Sequence, residues 1–357
     1  MAATRPLMLE ELGKLSILDG PSGFEQPIAE YMQRELKPHS DTVTRDRLGN
    51  VIAIRKGKSN LKIMLAAHMD EIGLITQHIT EEGFIKFDKI GGWDDRILPS
   101  MPFKILAKKT LHGTVGTKPP HILTEIERSM PIKIEDLFID TGLSAQELKK
   151  AGVRIGTPMV PASNFHQSNG VAMGKAFDDR AGCLNMLNVM RRLKRPEATI
   201  YAVGTVQEEV GTRGAHVASQ NIQPDIGIVL EGTIAADVPG VAPERQPTSL
   251  HGGAALTVMD RTMIADSRLL ELAIEVAERE EVTQQFKKPS FGGTDAGPIH
   301  MQGIGAPSCV ISAPCRYIHS GYAITSEEGL KSVVELASAL IVELTPRKLR
   351  EIGILTS

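Results

Sequence analysis

Aromatic residues and basic charge are both scarce in this chain of 357 residues. Phe, Trp and Tyr together make up 4% of the sequence, and the formal net charge at pH 7 is −3. Surfaces that bind nucleic acids carry an excess of Lys and Arg, and those that bind single strands also stack bases on aromatic rings. No apolar run approaches the ~20 residues that a membrane-spanning helix needs. The composition therefore predicts neither a nucleic-acid partner nor a segment inside a membrane.

Cysteine is also scarce. The three cysteines, Cys183, Cys309 and Cys315, are too few and too scattered for a disulfide framework or a zinc knuckle. Residues 1–16 lack the apolar core of a signal peptide and resemble the start of a helix. We therefore expect a cytoplasmic protein with reduced thiols, in which Cys183 packs on a helix.

The chain contains two kinds of sequence pattern, which divide it into two regions. In residues 1–70 and 165–357, apolar runs such as 62–67 and 201–206 alternate with helical patterns such as 267–281. This alternation is typical of an α/β domain whose sheet is covered on both faces. Residues 71–164 instead contain short strands separated by glycine and proline, which is typical of antiparallel β structure. We predict a catalytic α/β domain with a small β-rich domain inserted at residues 71–164.

Adjacent carboxylates follow one of the buried strands of the predicted α/β domain. Glu208 and Glu209 come directly after the apolar run 201–206. Two neighbouring acids repel each other unless a cation lies between them or one of them takes a proton. Ligands of open α/β sheets bind beyond the carboxyl ends of the strands. The pair therefore indicates either a metal site, an acid–base site or a solvated acidic turn.

Metal-ligand atoms recur at or near other strand ends. The positions with such atoms are His68, Asp178, Glu209, Glu231 and His319. Two imidazoles and three carboxylates suit zinc, cobalt or manganese, and five residues suffice for two ions that share one bridging carboxylate. Glu208 is then free to take a proton from a bridging water, and Asp70 can accept the second ring N–H of His68 and fix its tautomer.

Each of these residues, taken alone, also has a structural interpretation. His68 fits a satisfied core or surface histidine, and Asp178 with Asp179 fits a helix N-cap. Glu231 fits a turn. Gly292 and Gly293 resemble a phosphate-binding loop only in part, because the full signature and its lysine are absent.

An ordered series of motifs joins these residues. The series runs AAHMDEIG, KAFDDRAG, VQEEVGTRGA, VLEGTIAADVPG, TVMDR, GGTDAG and RYIHSG. It resembles the M42 family of metallo-aminopeptidases, the tetrahedral or TET aminopeptidases, over nearly the whole chain. The resemblance implies a mixed central sheet flanked by helices, of the di-zinc exopeptidase type. It also implies that the insertion is a PDZ-like dimerisation domain.

The resemblance also implies a role for each residue of the site. His68, Asp178 and Glu231 would hold one divalent ion, with Asp178 bridging to a second ion held by Glu209 and His319. The ions expected are Zn²⁺ or Co²⁺, with Mn²⁺ as a further candidate. Glu208 would act as general base, and Asp70 would orient His68. Glu231 departs from the pattern, because many members of the family carry the shorter Asp at that position.

The activity implied is the removal of N-terminal residues from short peptides. Self-association is also implied, into a homododecamer built from dimers. Other members have been labelled deblocking enzymes or endoglucanases, and a non-catalytic scaffold is a further alternative. We expect loops such as 238–251 to shape the substrate pocket, and the preferred N-terminal residue does not follow from the sequence.

Overall fold

The computed structural model describes residues 8–289 and 292–355. Within these ranges, no helix combines the length and the apolar character needed to cross a membrane. The described residues form ten α-helices: α1 (Met8–Ser16), α2 (Gln26–Leu36), α3 (Glu125–Ser129), α4 (Ala145–Ala151), α5 (Phe177–Arg192), α6 (Arg213–Ile222), α7 (Ser267–Arg279), α8 (Ala296–His300), α9 (Glu327–Glu343) and α10 (Pro346–Glu351).

The same residues form seventeen strands. These are β1 (Thr42–Arg45), β2 (Val51–Arg55), β3 (Lys62–His68), β4 (Gly73–Ile79), β5 (Ile85–Ile90), β6 (Pro102–Ile105), β7 (Leu111–Gly116), β8 (Phe138–Asp140), β9 (Pro158–Pro161), β10 (His166–Ser168), β11 (Val171–Gly174), β12 (Thr199–Thr205), β13 (Ile226–Ile234), β14 (Ala254–Thr257), β15 (Gln284–Lys287), β16 (Ser308–Arg316) and β17 (Ala323–Ser326).

Eleven strands form one mixed sheet. Its main path runs β1-β2-β12-β3-β13-β16-β17-β11-β10, and β14 and β15 attach beside β16. The four central strands, β12, β3, β13 and β16, are mutually parallel. Their carboxyl ends therefore lie at the same edge of the sheet, and the register places Thr205 of β12 opposite His68 of β3.

Both faces of the sheet are covered, which explains the continuous apolar run of β3. Ile63 and Leu65 pack into a core with α1, α2, α5, α7 and α9. Met64 and Ala66 point to the opposite face, into a smaller core with α6 and α8. This alternation is the two-residue period of a strand buried on both sides. The prediction of a mixed central sheet flanked by helices is confirmed.

The six strands from β4 to β9 form a separate unit. They close into an antiparallel barrel in the order β4-β5-β8-β7-β6-β9. Its core is distinct from those of the large sheet and contains Trp93, Phe103 and Ile139. The prediction of antiparallel β structure in this part of the chain is confirmed. The domain boundaries at residues 70, 71, 164 and 165 stay predictions.

One strand end differs from the sequence-based expectation in a way that matters for chemistry. The apolar run predicts a strand that ends at Leu230, but β13 continues to Ile234, so Glu231 lies inside the strand. The reason is long-range pairing, because β13 stays in parallel register with β16 from Gly227 to Ile234. Glu231 is consequently held by backbone hydrogen bonds rather than by a turn.

Ion pairs join the barrel to the sheet domain. Lys104 of β6 donates to Asp19, in the turn between α1 and α2, at 3.0 Å. Lys175, at the approach to α5, lies 3.3 Å from the same carboxylate. Lys175 also donates to both oxygens of Glu71, at 2.6 and 2.7 Å, with both side chains almost fully buried. Charged groups therefore connect the barrel to the sheet domain, and they are partly exposed at Lys104 and Asp19 and buried at Lys175 and Glu71.

Candidate active site

The five predicted ligand positions converge at the carboxyl edge of the parallel strands. His68 ends β3, Glu209 follows β12, and Glu231 lies inside β13. Asp178 is the second residue of α5, and His319 lies in the loop between β16 and β17. His68, Glu209 and His319 meet here because the central strands are parallel and end together, and α5 brings Asp178 to the same edge.

Asp178 lies between the two histidines. Its Oδ1 is 3.0 Å from Nε2 of His68, and its Oδ2 is 3.3 Å from Nε2 of His319. The backbone of Asp178 (φ −87°, ψ 100°) and of Asp179 (φ −125°, ψ 44°) is not helical, although both residues precede continuous helix. This local departure allows one carboxylate to face both imidazoles, which is the arrangement that a bridging ligand requires.

A further carboxylate accompanies each histidine. Oε2 of Glu231 is 3.8 Å from Nε2 of His68, and Oε1 of Glu209 is 3.5 Å from Nε2 of His319. Glu208 lies beside the first group, with its Oε2 4.0 Å from Nε2 of His68. The site thus consists of two imidazole–carboxylate groups that share Asp178, with one additional glutamate next to them.

Asp179 also lies close enough to His68 and Glu231 to form a metal-binding group. Its oxygens, however, accept hydrogen bonds from the backbone amides of His68, at 3.1 Å, and Gly182, at 2.8 Å. These contacts connect the end of β3 to the first turn of α5. Asp179 therefore fixes the backbone that carries His68 relative to α5.

Buried negative charge dominates the electrostatics. Burial raises the pKa values of Glu208 and Glu231 well above their usual range, and neighbouring carboxylates add to the increase. Burial also raises the pKa of Glu209, to about 7. Burial would raise the pKa of Asp178 as well, but hydrogen bonds from His319 and His68 outweigh it and lower the pKa.

The pKa values of the two histidines are also raised, although burial acts on an imidazole in the opposite direction. Burial would lower their pKa values, but Asp178 and the other carboxylates raise that of His68 well above its usual range and that of His319 to about 10. In this cluster of buried acids, positive charge on the imidazoles favours the ionised form of the carboxylates. Two histidines and three carboxylates in two adjacent groups are suitable donors for divalent ions of the zinc, cobalt and manganese type.

Asp70 organises the turn that carries the glutamates. Its carboxylate accepts hydrogen bonds from Ser22 Oγ at 2.6 Å and from the backbone amides of Glu208 at 3.0 Å and Glu209 at 3.1 Å. The carboxylate lies 3.5 Å from Nδ1 of His68, and that nitrogen is closer to the Asp70 backbone oxygen, at 3.2 Å. Asp70 therefore contacts both His68 and the Glu208–Glu209 turn, and the second contact was not expected from the sequence.

The barrel also contributes to the site. Nδ1 of His319 lies 2.8 Å from the carbonyl oxygen of Gly92, in the loop after β5. The loop is anchored by Trp93, whose indole N–H donates to the carbonyl of Gly73 inside the barrel. A donated Nδ1–H leaves Nε2 of His319 free to bind a metal. Sequence analysis missed this contact, because a Gly-Gly-Trp segment has no feature that connects it to a histidine so far along the chain.

A cavity of about 740 Å³ opens onto the site. Its walls include four of the predicted ligand positions (Asp178, Glu209, Glu231 and His319) and Glu208, together with segments 211–212, 232–234, 261–262 and 292–294. None of the residues of loop 238–251 lines this cavity, and the expectation that the loop shapes the substrate pocket stays a prediction. Gly292 and Gly293 form part of the wall of the same cavity.

Comparisons with known proteins agree with this geometry. The model of a family described as M42 glutamyl aminopeptidase matches residues 49–336. Lysyl aminopeptidase of Pyrococcus furiosus is 35% identical over 346 residues, which cover 94% of this chain and 97% of that protein.

Solved structures show the same fold. A TET aminopeptidase from Thaumarchaeota archaeon SCGC AB-539-E09 superposes with a TM-score of 0.94, at 38% identity, over 97% of this chain and 99% of that chain. The TET1 peptidase of Pyrococcus horikoshii has a TM-score of 0.84 at 30% identity, over 94% of this chain and all of that one. That peptidase is described as assembling into a tetrahedron or a large octahedral shell.

Proposed function

The chain belongs to the M42 glutamyl aminopeptidase family, and from this premise we propose that it is a two-metal enzyme that removes N-terminal residues from short peptides. The observation that carries the proposal is the position of Asp178 between two imidazole–carboxylate groups, with Glu208 beside them. A glycosidase would ordinarily need only two carboxylates and no metal. The histidines would then have no function in the chemistry.

The chain supplies two sets of ligands. His68, Asp178 and Glu231 would hold one divalent ion, and Asp178, Glu209 and His319 would hold the other. Glu231 is longer than the aspartate of many relatives, and its position inside β13 gives it a rigid backbone. The buried carboxylates fit this assignment, since bound cations would stabilise the ionised form that burial and neighbouring carboxylates disfavour.

Glu208 carries the proton in the proposed reaction. When bound, the two ions would lower the pKa of a water molecule between them and polarise the scissile carbonyl. Glu208 accepts the proton of that water and later donates it to the leaving amine. Asp70 holds the backbone amides of Glu208 and Glu209, so it keeps the base and the neighbouring ligand in register.

We further propose that the enzyme works in the cytoplasm as a self-assembled particle, a homododecamer built from dimers. The shells described for the Pyrococcus horikoshii peptidase support self-association. Segment 120–132 of the inserted domain adds support, because Ile122, Ile126 and Met130 are 64%, 74% and 57% exposed there. Size-exclusion chromatography with light scattering distinguishes a dodecamer from a dimer.

An activity assay on metal-stripped protein, with and without added metal, tests the catalytic proposal. The substrates are aminoacyl-p-nitroanilides and matched N-acetylated peptides, measured before and after addition of Zn²⁺, Co²⁺ or Mn²⁺. We expect cleavage of free N-termini only, and only with metal. Cleavage of the acetylated peptides would indicate a deblocking enzyme instead.

The variant Glu208→Gln isolates the role of the base. It should bind both ions, measured by elemental analysis, while kcat falls by roughly 10²- to 10⁴-fold, the usual contribution of general acid–base catalysis. If kcat stays within threefold of the wild type, Glu208 is not the base.

A further inference from the structure

The segment 206–209, between β12 and α6, carries the proposed base and one proposed metal ligand, and side chains hold its backbone. β12 ends at Thr205, so the strand ladder supplies no partner for the amides that follow. Each of the four amides donates to a side-chain oxygen instead. In the order of the amides, the acceptors are Asn50 at 3.0 Å, Glu25 at 3.1 Å, and Asp70 at 3.0 and 3.1 Å.

Glu25 makes these contacts rather than serving its own helix. It is the N-cap residue of α2, but its side chain forms no capping hydrogen bond there. Ser, Thr, Asp and Asn are the residues that helix N-caps prefer, so α2 gives no reason for a glutamate at this position. Its Oε1 accepts from the amides of Gly23 at 2.7 Å and Gln207 at 3.1 Å. The side chain of Glu25 therefore connects the turn before α2 to segment 206–209.

Gln207 has a backbone conformation that needs such support. Its φ of +55° lies in the left-handed region, which residues other than glycine adopt rarely and keep only where the surroundings hold them. Because Gln207 directly precedes Glu208, its backbone angles set the direction in which Glu208 and Glu209 continue from β12. The hydrogen bond to Glu25 acts on the amide of this same residue.

Asn50 holds the same segment from the side of the sheet. It is fully buried and directly precedes β2. Its Oδ1 accepts from the amide of Val206, and its Nδ2 donates to the carbonyl of Gly214 at 3.0 Å and to Asp46 at 2.6 Å. Since Gly214 lies in the first turn of α6, Asn50 joins the two ends of the connection between β12 and α6.

We propose that Glu25 and Asn50 are positioning residues, which place the proposed base and the neighbouring ligand by holding the backbone of segment 206–209. The inference rests on the proposed two-metal hydrolysis and adds two residues to its machinery. Neither Glu25 nor Asn50 lines the cavity at the site. A change at either residue should therefore act through the position of the two glutamates and not through contact with the substrate.

Glu25→Ala and Glu25→Gln form the first test. Both hydrogen bonds of Glu25 end on Oε1, so the carbonyl of glutamine can replace it, whereas alanine removes both. With saturating metal, kcat of Glu25→Ala for aminoacyl-p-nitroanilides should fall by about 10- to 100-fold while KM stays within about threefold, as for groups that orient a ligand. Glu25→Gln should recover most of kcat. Glu30→Ala, the matched control at an exposed position of α2, should keep kcat.

Asn50→Ala is the second test. It removes the acceptor of the Val206 amide and should lower kcat over the same range. Asn60→Ala makes the same change at an exposed residue before β3 and should keep kcat. Because Asn50 is fully buried, urea unfolding is measured for each variant, and the Glu25 variants decide the outcome where Asn50→Ala does not fold.

Metal affinity provides a readout that does not depend on turnover. In Glu25→Ala, stepwise Zn²⁺ titration of metal-stripped protein should show weaker binding of the ion shared with Glu209, by about 10- to 100-fold, and unchanged binding of the ion held by His68 and Glu231. A lower urea midpoint with wild-type kcat and wild-type affinities, or a Glu25→Gln variant as impaired as Glu25→Ala, overturns the proposal. Inactivity of the wild type on every peptide substrate, with the difference in affinity present, instead overturns the proposed hydrolysis and keeps the positioning role.

Discussion

Replacing Gly92 with alanine tests whether the barrel supports the second metal site. A Cβ added at Gly92 would lie 3.0 Å from Nδ1 of His319 and 3.4 Å from its Cε1. Gly92 lacks the left-handed φ of its neighbour Gly91 (φ +77°), so the substitution does not strain its backbone. The imidazole ring must therefore move by a few tenths of an ångström, while the carbonyl that it contacts stays in place.

The expected effect is selective for one ion. Changes to groups that orient a ligand typically lower metal affinity by about 10- to 100-fold, or about 1.4 to 2.7 kcal/mol. His319 would contribute only to the ion shared with Glu209, so the affinity of that ion should fall. The ion held by His68 and Glu231 should keep its affinity within about threefold. Stepwise Zn²⁺ titration of metal-stripped protein against a chromogenic chelator separates the two affinities.

Gly321→Ala is the matched control. It makes the same chemical change two residues after His319, where the added Cβ would meet the flexible side chain of Met101 at 3.1 Å. Both affinities should then match those of the wild type. Equal losses at the two sites in Gly92→Ala, or no loss at either, would refute the idea that this loop positions His319.

Two further predictions concern stability. Lys175→Met leaves the carboxylate of the buried Glu71 with only the more distant Arg180 and the amide of Gly20 as partners. The free energy of unfolding, measured in urea, should therefore fall by about 3 to 5 kcal/mol. Adding Glu71→Gln should recover part of that loss. Full additivity of the two changes would contradict a direct pair. The guanidinium of Arg316 lowers the pKa of Asp237, so this carboxylate contributes stability above its unfolded pKa of about 4 and loses it as the pH falls through its lower folded value. The difference in urea midpoint between the wild type and Asp237→Asn should therefore be largest near pH 7 and shrink below about pH 4, and a difference that grows in acid would contradict this assignment.

Local sequence patterns predicted much of the fold because they report burial directly. The apolar run of β3 reflects a strand covered on both faces, and the structure shows this arrangement. The proximity of most of the predicted ligand positions was also predictable, since parallel strands bring their carboxyl ends together whatever their separation along the chain, and their role as ligands stays a prediction. His68, Glu209 and His319 lie together for this reason, whereas Glu231 joins them from inside β13 and Asp178 from α5.

Features set by long-range contacts were not predictable. The extension of β13 through Glu231 depends on its pairing with β16, and β10 consists of exposed residues without an alternating pattern. The contact of Gly92 with His319 depends on how the barrel sits against the sheet domain. Lys287 lies at the cavity because β15 pairs with β14, and the local sequence around this lysine does not predict that pairing.

The distribution of the ligands along the chain also has a consequence for synthesis. His68 emerges from the ribosome early, whereas His319 follows only after the barrel and most of the large sheet. At ordinary translation rates, the interval between the two is on the order of ten to fifty seconds. A nascent chain therefore holds an incomplete set of ligands for most of its production. A hydrolase arranged in this way would acquire its activity only when nearly all of its own chain has been made, which limits damage to other nascent peptides nearby.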